Sequence, residues 1–495
     1  MNTLLNGMKQ EFNYDYTENG GIKHKTTHSD LLDMFAMGGS MRNRSDDDVI
    51  LMFQKAFQEN PEYALKCLFY LRNCRGGAGE RRFFRVVIKW LGQEFPDVVR
   101  RNMKYIPLMG RWDDLYSLIS TPVAHDVFLF MHAQFVLDMD CHTPSLLGKW
   151  LKSENCSSVE SKRLAALTRN AFGLTAREYR KSLSVLRKRI NIVETLMSQN
   201  RWDEIEFDKL PSKAGLKYKN AFAHNEITAE RYRAFMSNKE TKVHAGVLTP
   251  VDIAGQIFKS RYPEDVERKT WQKYWDALPD YYHGREEPGI AVVDVSGSMT
   301  GTPMNAAVSM GAYIAERGKG PFQNHFITFS QTPELVEFKG VDIYDKFHRA
   351  IGANWNMNTD IEAVFDLLLN TARKYHTKAE DMPKTIYIFS DMEFDACMAA
   401  KSTPRGYWGR TVTTEHEVET VIEAQMRKWR QYGYDAPRVI FWNLDARSNN
   451  IPALDGPFSY VSGFSMAALE GVLSGKNGYD MMMDVLNNPI YKDIK

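Results

Sequence analysis

Cysteine is scarce in this chain of 495 residues, and the five cysteines are spread so widely that none forms a C-x-x-C pair. An odd number of scattered thiols argues against a disulfide framework and against a cysteine-type zinc site. Long apolar runs are also missing, because no stretch reaches the roughly 18 residues that cross a bilayer. The N-terminal residues lack the apolar core of a signal peptide. We therefore expect a cytoplasmic protein that does not contact a membrane.

The motifs of several common enzyme classes are missing as well. The sequence contains no Walker A loop, no H-E-x-x-H, no G-x-S-x-G and no convincing pair of nucleophile and base. Acidic residues do cluster at Asp391, Glu393 and Asp395, but they follow a predicted strand, where binding explains them better than catalysis. We therefore expect a binding protein and not an enzyme.

Charge is nearly balanced over the whole chain, at a formal net charge of +1, but it is divided unevenly. Residues 1–285 hold 43 basic and 35 acidic residues, whereas residues 286–495 hold 20 basic and 27 acidic residues. A positive surplus in one part is a weak indication that this part binds a polyanion such as RNA.

Apolar residues recur three and four positions apart from about Asp30 to Trp275, which is typical of amphipathic helices. Breaks such as Asn60-Pro61 leave helices of about 10 to 15 residues. One helix start is well marked, since Thr175 and Glu178 have the spacing of a capping box. Successive short helices predict an all-α helical repeat, either a HEAT-like solenoid or a ring.

The pattern changes near Pro288, where apolar runs begin to alternate with helical stretches. Such alternation predicts an α/β domain with a doubly wound sheet and helices on both faces. The predicted organisation is an N-terminal arm at 1–30, a helical repeat domain at 31–285, the α/β domain at 286–475 and a C-terminal extension at 476–495.

Two predicted strands of the α/β domain carry an acid at their carboxyl ends. Asp294 ends the first strand and begins the motif that includes Ser296 and Ser298, and Asp391 ends a later strand. Thr359 opens a predicted helix between them. Ligands of open α/β sheets bind beyond the carboxyl ends of the strands. Two carboxylates and three hydroxyls suit Mg²⁺ or another hard divalent cation, with a coordination position left for an external ligand.

These five positions resemble the metal-ion-dependent adhesion site of von Willebrand factor A domains, and the resemblance extends over the whole α/β domain. It implies that Ser296, Ser298 and Thr359 contact the metal directly. Asp294 and Asp391 would act directly or through water. An acidic group of a partner often completes the site in that family, so a protein-interaction scaffold that binds an acidic partner residue is one possible function.

The most unusual segment of the helical part contains a glycine-rich turn, Arg75-Gly-Gly-Ala-Gly79, after one helix and before the next. A turn of this kind can expose backbone N–H groups that hold phosphate. The alternative is a tight connection between two helices with solvated arginines, and the residues alone slightly favour that alternative.

The stretch Leu71–Arg81 (LRNCRGGAGER), together with Ile106–Leu115 (IPLMGRWDDL), resembles the TROVE module of Ro-type RNA-binding proteins, which pair a helical ring with a von Willebrand factor A domain. The block Gly173–Arg187 (GLTAREYRKSLSVLR) is closer to an uncharacterised TROVE-like family of bacteria, phages and plants. The resemblance implies a ribonucleoprotein that binds structured or misfolded RNA or single-stranded RNA ends, and not DNA. The basic residues that could contact RNA are Arg72, Arg75, Arg81, Arg82, Arg85, Lys181, Arg187, Lys188 and Arg189.

Overall fold

The computed structural model describes residue 8 and residues 12–286, 288–329, 332–352, 360–395, 419–454, 456–473 and 475–495. A short hairpin comes first, in which β1 (Tyr14–Tyr16) pairs antiparallel with β2 (Ile22–His24). The helical part then runs to residue 276, and a domain of strands and helices follows it. The described architecture thus has the two parts that the sequence predicts.

The helices of the first part are short and follow one another closely. They are α1 (Asp30–Met37), α2 (Asp46–Glu59), α3 (Pro61–Arg72), α4 (Arg82–Glu94), α5 (Pro96–Asn102), α6 (Tyr105–Met109), α7 (Ala124–Asp140), α8 (Leu147–Trp150), α9 (Val159–Ala171), α10 (Ala176–Ile190), α11 (Val193–Ser198), α12 (Ser212–Lys217), α13 (Lys219–His224), α14 (Ala229–Ser237), α15 (Pro250–Ile257) and α16 (Asp265–Asp276). A 3₁₀ helix covers Trp112–Leu118.

Local sequence signals explain where several of these helices begin. Asn60 caps α3 by accepting a hydrogen bond from the backbone N–H of Tyr63, and proline takes the first helical position. The predicted capping box is confirmed at α10, where the side chains of Thr175 and Glu178 each accept a hydrogen bond from the other residue's backbone N–H.

The second part is built on a six-stranded sheet with strand order β5-β4-β3-β6-β7-β8. Its strands are β3 (Gly289–Asp294), β4 (His325–Phe329), β5 (Glu334–Glu337), β6 (Thr385–Ser390), β7 (Arg438–Asn443) and β8 (Phe458–Ser462). Neighbouring strands are parallel, except that β5 runs antiparallel to β4 at one edge. The parallel register brings the carboxyl ends of β3 and β6 side by side, since Val293 pairs with Phe389.

The central strands β3 and β6 are buried along almost their whole length, so both faces of the sheet are covered there. The helices of this part are α17 (Thr302–Arg317), α18 (Ile343–Ile351), α19 (Ile361–Lys374), α20 (Val421–Gln431), α21 (Leu469–Val472) and α22 (Gly478–Leu486). Helix α17 packs on β3 so closely that a Cβ atom on Gly311 would lie 2.3 Å from a methyl carbon of Val293. Glycine therefore permits this packing.

The helical part contacts the α/β domain near both of its ends. At the first end α1 packs on β8 and on α22, and at the other end α16 packs on α18. The C-terminal residues add hydrogen bonds back to the helices, for example from the side chain of Asn73 to the hydroxyl of Tyr491 at 2.9 Å. Both ends of the helical part therefore lie against the α/β domain.

Among the residues that the structure describes, no helix combines the length and the apolar character that a membrane crossing requires.

Candidate functional site

The two predicted metal-binding acids lie next to each other at the carboxyl edge of the sheet. Asp294 ends β3, and its carboxylate accepts a hydrogen bond from the Ser390 hydroxyl at 2.5 Å and another from the backbone N–H of Ser296 at 2.8 Å. Asp391 follows directly after β6. Their positions agree with the rule that binding groups gather beyond the carboxyl ends of parallel strands.

Two predicted hydroxyls lie in the loop after β3. The Oγ atoms of Ser296 and Ser298 are 2.9 Å apart. Ser296 is buried, whereas Ser298 is exposed, so the loop is open to solvent on the side of Ser298. Thr359, the third predicted hydroxyl ligand, lies outside the described residues.

The electrostatics of this edge favour a cation. The exposed fractions of Asp294 and Asp391 are 0% and 1%. Burial, and then the negative charge of Asp391, raise the pKa of Asp294 to about 7. No group of three or more His, Cys, Asp or Glu side chains in the described part of the chain is placed to hold a metal. Two carboxylates with neighbouring hydroxyls nevertheless fit a hard cation that keeps several waters.

An arginine that the sequence analysis missed also lies at this edge. The guanidinium of Arg447 donates a hydrogen bond to Oδ2 of Asp391 at 2.5 Å, and its Nη1 lies 2.8 Å from a carboxylate oxygen of Glu18. Arg447 follows β7, so the strand-end argument that found Asp391 could have found Arg447 as well.

The N-terminal hairpin, expected to be part of a polar arm, packs against the same edge. The Thr17 hydroxyl donates to the carbonyl of Phe394 at 2.6 Å, and the Asn19 amide donates to the carbonyl of Glu393 at 2.6 Å. A Cβ atom on Gly21 would lie 2.6 Å from the Phe394 carbonyl oxygen, so the contact is close. The Asn19-Gly20 pair between two short strands was the overlooked hairpin signal.

The glycine-rich turn of the helical part uses its N–H groups internally. The amides that donate hydrogen bonds within the protein are those of Arg75, Gly76, Gly77, Ala78 and Glu80. The first two donate to the side chain of Asn73, and the others donate to carbonyls at the end of α3. The phosphate-binding interpretation of this turn is therefore wrong for these amides, and the tight helix connection is the better description.

Two of the candidate RNA-contacting arginines belong to a buried ion-pair network. Arg72 is 2% exposed and its Nε donates to Oδ2 of Asp114 at 2.8 Å. Nε of Arg85 donates to the other oxygen of Asp114 at 2.7 Å, and its Nη2 lies 2.9 Å from Asp113. Gly110 permits this packing, since a Cβ atom there would lie 2.8 Å from Nε of Arg72. The structure therefore contradicts an RNA contact by Arg72, and Arg85 serves mainly as an ion-pair partner.

Four further candidates already have partners within the protein. Arg82 pairs with Asp46 at 2.5 Å. The other three guanidinium groups donate to backbone carbonyls: Arg75 to Leu108, Arg187 to Gly148 and Leu151, and Arg189 to Met139. Among the described residues, the remaining candidates make no side-chain hydrogen bond or ion pair and are exposed, namely Arg81, Lys181 and Lys188.

Arg111 lies within the TROVE-like stretch Ile106–Leu115 and is a further cation of this region, beyond the nine candidate residues. Its guanidinium carbon lies 4.7 Å from the centre of the Trp150 ring. Burial lowers the pKa of Arg111, and the positive charges of Arg72 and Arg81 lower it further, although Asp113 opposes them. Arg81 and Arg111 therefore lie close enough to repel each other.

A basic stripe runs along the neighbouring helix α10. Arg177, Lys181 and Lys188 are exposed and are spaced by four and seven residues, which places them on one helical face. Helix α10 packs on α8, the helix that carries Trp150.

Comparisons with known proteins agree with the division into two parts. Residues 17–163 and 138–279 match the family described as domain of unknown function (DUF2828), and residues 288–488 match another, domain of unknown function (DUF7788). An uncharacterized protein of Acanthamoeba polyphaga mimivirus is 29% identical over 531 aligned positions, which cover 97% of this chain and 89% of that protein. The crystal structure of the Deinococcus radiodurans Ro (RSR) protein has 13% sequence identity and a TM-score of 0.49, over 93% of this chain and 99% of that chain. Because the DUF2828 matches together span more than half of the sequence, the chain belongs to the DUF2828 family.

Proposed function

We propose that this protein is a non-catalytic, Ro-like RNA-binding protein whose helical part binds RNA and whose α/β domain binds Mg²⁺ or another hard divalent cation. The observation that carries the RNA proposal is the surplus of positive charge at the helix junction around Arg111. Phosphate groups of RNA are the ligands that such a surplus attracts.

The surplus remains after the internal ion pairs are formed. The carboxylates of Asp113 and Asp114 are paired with Arg72 and Arg85, and Asp113 also lies 3.9 Å from Lys152. Arg81 and Arg111 add two cations, and neither has an ion-pair partner among the described residues. Arg111 and Arg81 thus add positive charge beside two carboxylates that already have three cationic neighbours, and both arginines are at least partly accessible to solvent.

Aromatic rings near these cations favour RNA with unpaired bases. Trp150 lies beneath Arg111, and Trp112 stacks on Phe130 with ring centres 5.4 Å apart. All three rings are half-buried. Unpaired bases can stack on aromatic rings and on guanidinium planes, whereas the bases of an RNA duplex are stacked on each other. Single-stranded RNA, or an RNA helix with a single-stranded end, is therefore the proposed ligand.

The metal proposal is supported by the two buried carboxylates, Asp294 and Asp391, and by the hydroxyls of Ser296 and Ser298 beside them. A cation bound there would offset the repulsion that raises the pKa of Asp294. The exposure of Ser298 favours a second candidate function, in which a carboxylate of a partner protein reaches the cation from that side and the chain acts as a protein-interaction scaffold.

The RNA proposal can be tested with the double variant Arg81→Ala with Arg111→Ala in the full-length protein. We expect its affinity for a single-stranded RNA at low salt to fall about tenfold or more, which corresponds to about 1.4 kcal/mol. The slope of log affinity against log salt should become shallower by about 1.4, because two phosphate contacts to a single strand are lost. Filter binding at several salt concentrations measures both quantities.

The matched control removes two exposed lysines from the other half of the protein, Lys374→Ala with Lys378→Ala. It loses the same charge and should bind RNA like the wild type. Equal affinity and equal slope for the arginine variant and the control would remove Arg81 and Arg111 from the RNA site.

A further inference from the structure

We propose that the guanidinium of Arg447 neutralises the carboxylate of Asp391 when no Mg²⁺ is bound. Binding of Mg²⁺ then weakens the contacts of Arg447 with Asp391 and Glu18 and loosens the N-terminal hairpin from the sheet edge. Neither the metal motif nor the matched families assign a role to Arg447 or to Glu18. The inference rests on the proposed metal site.

Arg447 connects a buried acid of the metal site to the hairpin. The Asp391 side chain is fully buried, that of Arg447 is 29% exposed and that of Glu18 is 53% exposed. One guanidinium thus links a buried carboxylate to a carboxylate near the surface. A divalent cation that binds beside Asp391 would repel this guanidinium, because two like charges a few ångströms apart in a partly buried site are weakly screened.

The turn of the hairpin is fastened to the loop that contains Asp391, whereas strand β2 pairs with Ile451 after β7. The backbone N–H of Glu18 donates to the carboxylate of Glu393 at 2.9 Å. The other oxygen of that carboxylate accepts from the Ser448 hydroxyl at 2.7 Å, and the Ser448 hydroxyl accepts from the Lys23 ammonium at 2.7 Å. Thr17 and Asn19 donate to carbonyls of the same loop. A small rearrangement of this loop therefore affects several hairpin contacts at once.

The loop contains a residue whose backbone is strained. Met392, between Asp391 and Glu393, has a φ of 66°, which is uncommon for a residue other than glycine. The Asn450 side chain holds it there by donating to the Met392 carbonyl at 2.6 Å. Strain of this kind persists only where the surroundings impose it, and it is concentrated at ligand sites and switch regions.

Thermodynamic linkage makes the coupling reciprocal. If Mg²⁺ weakens the attachment of the hairpin, then removal of the Arg447 charge must raise the affinity for Mg²⁺. A coupling of about 1 kcal/mol corresponds to a roughly fivefold change in affinity, at the lower end of the usual range. A merely structural arginine would give no such gain.

The experiment measures hydrogen exchange of the hairpin amides, residues 14–24, with and without saturating Mg²⁺ in the full-length protein. Mg²⁺ should accelerate exchange there in the wild type. Titration calorimetry should show about three- to tenfold tighter Mg²⁺ binding by Arg447→Gln. The matched control is Arg430→Gln on α20, an exposed arginine with no side-chain partner among the described residues. It should behave like the wild type.

A variant without the proposed ligands, Asp294→Ala with Ser296→Ala, should show no effect of Mg²⁺ on hairpin exchange. Binding of Mg²⁺ to the wild type without a change in hairpin exchange, or with unchanged or weaker affinity in Arg447→Gln, overturns the coupling and leaves the metal site intact. Absence of Mg²⁺ binding by the wild type overturns the metal site and the coupling together.

Discussion

The sheet edge and the helix junction each contain a network of buried or half-buried charges, but the two networks are left with opposite surplus charge. At the sheet edge Arg447 pairs with the carboxylates of Glu18 and Asp391, and Lys23 is linked to the carboxylate of Glu393 through the Ser448 hydroxyl. The carboxylate of Asp294 accepts hydrogen bonds from Ser296 and Ser390. At the helix junction four cations surround Asp113 and Asp114, namely Arg72, Arg85, Lys152 and Arg111, and Arg81 adds positive charge beside Arg111. The first network is short of positive charge and the second is short of negative charge.

The difference shows how structural and functional charges can be separated. A buried charge with a well-placed partner mainly maintains the fold, because breaking the pair leaves an uncompensated charge in the interior. A partly exposed charge that remains unmatched after all internal pairs are formed is solvated by water and can bind a ligand of opposite sign. Arg72 is of the first kind, and Arg81 and Arg111 are of the second kind.

The largest expected effect is the loss of stability on replacing Arg72, and it tests the distinction between paired and unmatched arginines. Arg72→Ala should lower the free energy of unfolding by about 3 to 5 kcal/mol, because it leaves the buried carboxylate of Asp114 with only one of its two arginines. Arg81→Ala should change it by less than about 0.5 kcal/mol, as is usual for exposed side chains without partners. Urea denaturation measures both. Similar small effects for the two variants would mean that the ion pair is not important for the fold.

A smaller change in stability is expected when Mg²⁺ binds at the sheet edge. Mg²⁺ at about 100 times its dissociation constant should stabilise the wild type by about 2.7 kcal/mol, because it binds only the folded state. EDTA should reverse this, and Asp294→Ala with Ser296→Ala should abolish it. Thermal unfolding with Mg²⁺ and with EDTA is the measurement. A melting temperature of the wild type that responds to neither would contradict the metal proposal.

The sequence predicted the acids of the sheet edge because their signal is local. Asp294 and Asp391 are 97 positions apart, but each ends an apolar run that is recognisable as a strand, and parallel strands bring such ends together. The order of the elements and the two-part division follow from the same kind of local pattern.

The partners of individual charges could not be predicted in this way. Arg72 and Asp114 are separated by 42 residues on two elements whose packing no periodicity specifies. The hairpin contacts join residues 377 and 375 positions apart, and the polar composition of the segment gave no sign of them. For this reason the candidate RNA-contacting residues included buried or paired arginines and omitted Arg111.

Binding of the full-length wild type to two RNAs of equal length at about 50 mM and about 200 mM salt tests the central claim most directly. One RNA is a helix with a single-stranded end and the other is a blunt duplex. The proposed function predicts tighter binding of the RNA with the single-stranded end, and a clear loss of affinity for both RNAs at the higher salt concentration. Failure to bind either RNA at the lower salt concentration would contradict the claim and favour the protein-interaction scaffold.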